Sequence, residues 1–466
     1  NPKFKIQNSK SKIQNPKSKM ELFYPTIDLF IYDLRNPLNA DAAEIARNFQ
    51  AFRDRLPQNI ELQDIEAETE YLELTAPSRL KLNPVNPNLE GYLYPVRLND
   101  TYGLQIDCSV NNLTEPQSLD SFSLIKAEIE TYSALNRLTI GKTWLISGWL
   151  TEQNQDAEGI ARDCYKTLFK EDRWTQELYG KGTFLNSNIF EIWQSQSYPN
   201  DHLVILIFPD RATAEKAANF YTDWMGLFCY RHKITWAYHQ SRLIKEALMN
   251  HYKKVEDNTR IIKSSQNSKI NLTRLQQLFN NIQNILNKYT IDLLNLSFQK
   301  QIIDINIINY QTRLALIEQK AGEGSDLSFL DKFGDLAEKK YLPQIAKDAE
   351  NMQLGLQLLE TNINALRSQI EIEKSERDRD FQNLVTLVGA GTAVAALLDY
   401  DGNKCKAIFY TNIPKESNPS YPCNIFWLGR VAIPIAFLIL LGGTALFLKW
   451  LYFKIIKRLN SGSPSG

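Results

Sequence analysis

The chain is short of the residues that most catalytic and metal chemistry is built from. It has four histidines, His202, His232, His239 and His251, and none starts an HExxH or comparable ligand spacing, which excludes a helix-borne zinc hydrolase. Its five cysteines include no CxxC pair, so zinc-ribbon and dithiol redox motifs are excluded, and Cys108, Cys164 and Cys229 are isolated thiols suited to a reducing compartment. Net charge is also lacking. The 53 basic and 53 acidic residues cancel, leaving no broad cationic field for nucleic acid. A phosphate loop is missing as well: Gly141-Lys142-Thr143 has the end of the motif, but Asn136 stands where its first glycine belongs and a strand follows. With no Ser-His-Asp or Cys-His set assignable, the expectation is that the chain is not an enzyme and has no catalytic, cofactor-binding or metal residues.

At the N-terminus two near-identical segments, 6–12 and 13–19, carry lysine, asparagine and serine with almost no apolar content. Such a segment cannot bury enough surface to order itself, so residues 1–20 read as a disordered basic leader, with the true start at residue 1 or at Met20. The leader has no apolar core and is not a secretory signal.

Strand-like and helical runs alternate over residues 21–255, predicting an α+β or α/β domain in the cytoplasm. Strands are expected at 27–32, 71–74, 91–98, 102–108, 143–150, 184–193 and 203–208, and helices at 40–56, 119–135 and 157–169. The last strand, Leu-Val-Ile-Leu-Ile-Phe, reads as buried on both faces. Asp210 then caps a helix continuing to about Phe228. His232 and His239, among Tyr230, Trp236 and Tyr238, read as packing or surface residues. Trp144, Trp149, Trp174 and Trp193 are either aromatic core or the walls of a ligand cleft.

Residues 256–382 form a long helical coiled-coil stalk. Apolar positions step by three and four through Leu272, Leu275, Phe279, Ile282, Leu286, Tyr289, Leu293, Leu296, Ile303, Ile307, Tyr310, Leu314 and Ile317, with Lys300 the one interruption. Gly322 to Ser325 break that helix and Pro343 marks a second start or kink. A second stripe, Met352, Leu356, Leu359, Ile363, Leu366 and Ile370, continues through the cationic positions Lys374 and Arg377 towards Leu384.

Residues 383–453 hold two apolar runs, expected as a transmembrane hairpin. The run 431–448 carries no charge and is flanked by Phe426, Trp427, Trp450, Tyr452 and Phe453, as a membrane-crossing helix requires. The run 384–398 is shorter and rich in Gly and Ala; it reads either as a span packed against other helices or as a buried soluble helix. Lys374, Arg377 and Arg379 before the runs, and Lys454, Lys457 and Arg458 after them, place both termini, including the tail 454–466, in the cytoplasm. The loop 399–424 then lies outside, where Cys405 and Cys423 either form a disulfide or stay as two thiols.

This layout resembles CorA-type divalent-cation channels, with a cytoplasmic domain, long helices, two spans and a short outer loop. The resemblance covers residues 272 to the C-terminus. In that family a Gly-Met-Asn signature closes the first span and the assembly is a homopentamer. Here Asp399-Tyr400-Asp401-Gly402-Asn403 stands in its place. The segments 31–35 and 182–193 also resemble a group of cyanobacterial two-span membrane proteins, a likeness that carries no activity. The expectation is a homo-oligomeric CorA-like ion channel or transporter of the inner membrane, gated by its cytoplasmic domain. Gly389, Thr392 and Ala396 would line its pore, and Asp399, Asp401 and Asn403 its outer mouth. The alternative is a non-conducting, membrane-anchored signalling or stress-response protein whose soluble domain binds an unknown cytosolic ligand or partner.

Overall fold

The computed structural model describes residues 20–37, 40–64, 69–133, 139–152, 154–170, 172–193, 202–264 and 272–374. Two compact units divide the chain, the first made of Asn1–Glu246 and Asn295–Glu350, the second of Ala247–Leu294 and Asn351–Gly466.

The first unit is built on a mixed sheet of ten strands. In chain order these are β1 (Glu21–Leu34), β2 (Leu72–Glu73), β3 (Leu80–Lys81), β4 (Leu89–Leu98), β5 (Thr101–Val110), β6 (Gln117–Ser118), β7 (Thr139–Leu150), β8 (Leu178–Phe184), β9 (Ser187–Ile192) and β10 (His202–Phe208). The main order is β2-β4-β5-β1-β7-β10-β9-β8, with β3 on β4 and β6 on the start of β1. All pairings are antiparallel except β7 with β10. β10 is buried at every position, as its unbroken apolar run requires.

Alternation along the strands separates two faces. One face, with Ile27, Leu29 and Ile31 of β1, Ile106 of β5, Ile146 of β7 and Ile205 of β10, packs in one core with α2 (Ser121–Ser133), α3 (Ala157–Phe169) and Trp174 of the one-turn α4 (Trp174–Glu177). The other face receives the first part of the long helix α6 (Tyr221–Ser264): Phe228 meets Phe30 edge-on at 5.4 Å, and the Tyr32 hydroxyl donates to the Met225 carbonyl at 2.9 Å. Helix α1 (Ala42–Arg53) is tied back to the sheet by Arg55, which holds buried Asp33 through Nε at 2.6 Å and Nη2 at 3.1 Å.

The helix predicted from Asp210 is present and longer than expected. Asp210 accepts from the Thr213 amide, α5 (Arg211–Ala217) follows, and after a single 3-10 turn α6 runs on to Ser264. The single strand expected at 184–193 is instead the hairpin β8–β9, turned by Leu185 and Asn186, both left-handed at φ 51° and 62°.

The predicted heptad stripe lies on α7 (Leu272–Ala321), where every stripe residue from Phe279 to Ile317 is buried and Lys300 is exposed. α7 ends at the expected breaker, with Gly322 and Gly324 at positive φ. Two more helices follow, α8 (Ser328–Leu336) and, after one π turn at Ala337–Tyr341, α9 (Leu342–Lys374). Leu356, Leu359, Ile363 and Leu366 of the second stripe are buried. Within the second unit the Tyr289 hydroxyl donates to the Met352 carbonyl at 2.8 Å. Among the described residues no helix is long and apolar enough to cross a membrane; both expected spans and the loop 399–424 lie outside the described residues.

Candidate functional site

Polar side chains on a sheet face covered by a helix need partners, because burying an unpaired polar group costs about 1–3 kcal/mol. The α6-facing side of the sheet nevertheless carries two polar clusters.

The first is closed. Thr143 of β7 stands between two imidazoles, with Oγ1 at 2.9 Å from His202 Nδ1 and 2.8 Å from His232 Nε2. His202 Nε2 lies 3.2 Å from Glu191 Oε1 on β9, and Arg231 Nη2 lies 3.0 Å from the same oxygen. The guanidinium carbon sits 4.5 Å from the Trp193 ring centroid and 4.0 Å from that of Phe333. Every member of this cluster is buried. Burial pushes the Glu191 carboxyl up, opposed by the Arg231 charge, and holds both imidazoles well below their ordinary range.

Hydrogen counting fixes how this chain is protonated. His232 also bonds the Lys142 carbonyl, which only accepts, so that nitrogen carries a hydrogen and Nε2 accepts from the Thr143 hydroxyl. Thr143 then accepts from His202 Nδ1–H, leaving His202 Nε2 bare against Glu191. Filling the last contact takes one proton beyond two neutral imidazoles and an ionised carboxylate. The Arg231 guanidinium, 3.0 Å from the same carboxylate oxygen, opposes that proton. The order acid–histidine–hydroxyl matches a nucleophilic triad on paper, but every one of these side chains is buried.

Gly141 makes this packing possible, since a Cβ there would overlap the His232 ring and lie 2.8 Å from His232 Cβ. Gly141→Ala is therefore expected to push His232 away from Thr143 and destabilise the unit by about 1–3 kcal/mol, measured by thermal unfolding. A melting temperature equal to that of the wild type would contradict this placement of the ring.

The second cluster is open at one end and is the candidate site. Asp28 of β1 and Asp107 of β5 are directly paired in register, and Tyr92 of β4 is paired with Asp107 on its other side. Gln105 Nε2 donates to Asp28 Oδ1 at 2.7 Å and to the Tyr92 hydroxyl at 3.1 Å. Further along, the Tyr24 hydroxyl donates to Glu90 Oε1 at 2.9 Å and accepts from Ser109 at 3.0 Å. Tyr24 is held there by an irregularity in the β1–β7 pairing between Phe23 and Thr26, with φ at 48°, a conformation that costs energy in a residue with a side chain.

Asp28 and Gln105 are fully buried, whereas Asp107, Glu90, Tyr92 and Tyr24 are half-buried along the open edge. Burial raises the Asp28 carboxyl to about 6, and burial together with the Asp28 charge raises Asp107 well above the carboxylate range. The two carboxyls are hydrogen-bonded to each other, an arrangement in which one proton serves the pair. Over the tyrosines lies exposed Arg79, its guanidinium carbon 5.0 Å from the Tyr92 centroid and 5.8 Å from that of Tyr94.

The residues expected to carry function fall elsewhere. Gly389, Thr392, Ala396, Asp399, Asp401, Asn403, Arg377, Cys405 and Cys423 lie outside the described residues; Lys374 is the last residue of α9. Trp144, Trp149, Trp174 and Trp193 are buried, as aromatic core. Gly141, Lys142 and Thr143 lie within strand β7. Cys108, Cys164 and Cys229 are buried free thiols. The members of the candidate site were not singled out in the sequence. The available signal was an acidic residue inside an apolar strand, as at Asp28 in Ile-Asp-Leu-Phe and Glu191 in Phe-Glu-Ile. Compared with known proteins, the chain matches no family model, no curated protein and no solved structure.

Proposed function

We propose that this chain is an integral membrane protein of the inner membrane, with both termini in the cytoplasm. Its N-terminal α/β unit is a ligand-responsive head, its long helices couple that head to two C-terminal spans, and the assembled homo-oligomer conducts cations. The observation that carries the membrane reading is the uncharged run 431–448, closed at both ends by Arg430 and Lys449 and then by aromatic rings. The coupling is supported by α9, an unbroken helix to Lys374 that leads towards the apolar run starting at Leu384. The ligand response is supported by the half-open carboxyl and tyrosine cluster of the head. Asp399, Asp401 and Asn403 supply the oxygen ligands that hard cations prefer.

A second reading is favoured by the loss of the Gly-Met-Asn signature at 399–403: the spans tether the head without conducting, and binding at the head is the whole activity. Reconstitution separates the two. Conduction requires cation flux into liposomes that Asp399→Asn or Asp401→Asn changes several-fold. Membrane-retained protein that passes no cation, with or without ligand, leaves the tether. Release of the full chain from membranes by alkaline carbonate ends both.

A further inference from the structure

We infer that the open end of the head's sheet, at Asp28, Asp107 and Tyr92, binds an organic monocation bearing N–H donors, an alkylammonium or guanidinium ion, in the position where Arg79 now rests. This deepens the reading of the head as ligand-responsive and rests on it. Three observations select that chemistry.

The first is an acceptor without a donor. Gln105 Oε1 belongs to a fully buried side chain whose amide nitrogen is already committed to Asp28 and Tyr92, and that oxygen has no donor. An acceptor left unpaired in the interior carries the full cost of its lost hydration. A ligand rich in N–H groups offsets that cost, and an anion or an apolar molecule does not.

The second is the charge. One proton shared by Asp28 and Asp107 leaves the pair with a single negative charge, and Glu90 is engaged with Tyr24. Among the described residues no group of three or more His, Cys, Asp or Glu side chains is placed to hold a metal ion. The balance suits a monocation. Ionisation of Asp28 supplies that single charge, so binding strengthens as pH rises through about 6, where Asp28 titrates. The charged and titratable groups facing the pair are Arg79 before β3, Glu90 and Tyr92 on β4, and Tyr221 on α6.

The third is the side chain already there. Arg79 stacks on two tyrosine rings, the arrangement in which a cation meets the negative face of an aromatic system. It is exposed and forms no ion pair among the described residues, so only that stacking and the nearby carboxyls hold it. A tethered guanidinium in this position is a stand-in for a free one, and leaves when a better-bonded cation enters.

The test is calorimetric titration of the detergent-solubilised full chain at pH 7.5 with ethylammonium, methylguanidinium and tetramethylammonium. The first two are expected to bind, and tetramethylammonium, which has no N–H, at least tenfold more weakly. Arg79→Ala, which removes the internal competitor, is expected to tighten binding at least threefold, and Asp107→Asn to weaken it at least tenfold without lowering the melting temperature. A blocked Gly-Arg-Gly peptide distinguishes a free ion from a partner's side chain, binding more tightly than methylguanidinium only in the latter case. No heat from any of these cations with either the wild type or Arg79→Ala overturns the site, as does equal binding of tetramethylammonium. Because the measurement is independent of ion flux, flux without binding removes this site alone, and binding without flux removes conduction alone.

Discussion

Arg231→Met is expected to destabilise the full chain by about 3–5 kcal/mol, the cost of leaving a buried charge without its partner. The guanidinium is 2 % exposed, Glu191 is fully buried, and no other basic side chain forms an ion pair with Glu191 among the described residues apart from His202, which burial keeps neutral. Removing the cation also removes the slab that packs against both the Trp193 and Phe333 rings. The double variant Arg231→Met with Glu191→Leu should recover most of the loss, since a buried pair exchanged for apolar side chains of similar volume is often neutral or better. Urea unfolding followed by tryptophan fluorescence checks both, Trp193 reporting on the site. If the double variant is as unstable as the single one, the loss is one of packing and the charge argument fails.

Asp107→Asn is expected to do the opposite, raising stability at pH 7.5 and leaving it unchanged at pH 4. In the unfolded chain Asp28 titrates near its ordinary 3.8; in the fold it titrates at about 6. Between those values the native state holds more protons than the unfolded state, so stability falls as pH rises and is lowest above the folded value. The rise at Asp28 from 3.8 to about 6 corresponds to up to about 3 kcal/mol; Asp107, also raised by burial and by the Asp28 charge, carries a penalty of the same sign, which its exchange for Asn removes. A gain of several degrees in melting temperature at pH 7.5 that vanishes by pH 4 is the expected result; a loss at pH 7.5 would mean that the pair is not a source of strain. A carboxyl pair that weakens the fold while facing an open edge is what a binding site exacts.

Much of the scaffold was legible. The apolar run at β10 reads as a doubly covered strand because six consecutive large apolar side chains leave no polar face, and the α7 stripe from Phe279 to Ile317 is buried because its three-and-four step keeps one side of the helix apolar. β8 was less visible. Its Gly-Lys-Gly-Thr sequence has no apolar alternation, and Gly182 is there because a Cβ would overlap the Asp326 carbonyl, a neighbour distant in sequence. The turn at Leu185 and Asn186 escaped notice because leucine seldom adopts a left-handed backbone. The candidate site was illegible for a related reason. Sequence parity tells which face Asp28 or Asp107 points to, but only the register of β1 against β5 sets the two carboxyls side by side.

The first unit is discontinuous in the chain, since Asn1–Glu246 is completed by Asn295–Glu350. Residues of α7 and α8 close over the Arg231 cluster and the β8–β9 hairpin, through Phe333 against Trp193 and the Thr183 and Asp326 backbones. A nascent chain emerging at roughly 5–20 residues per second therefore displays Trp193 and its buried cation bare for seconds before their cover is synthesised. That interval is a window in which chaperones have reason to engage this polypeptide.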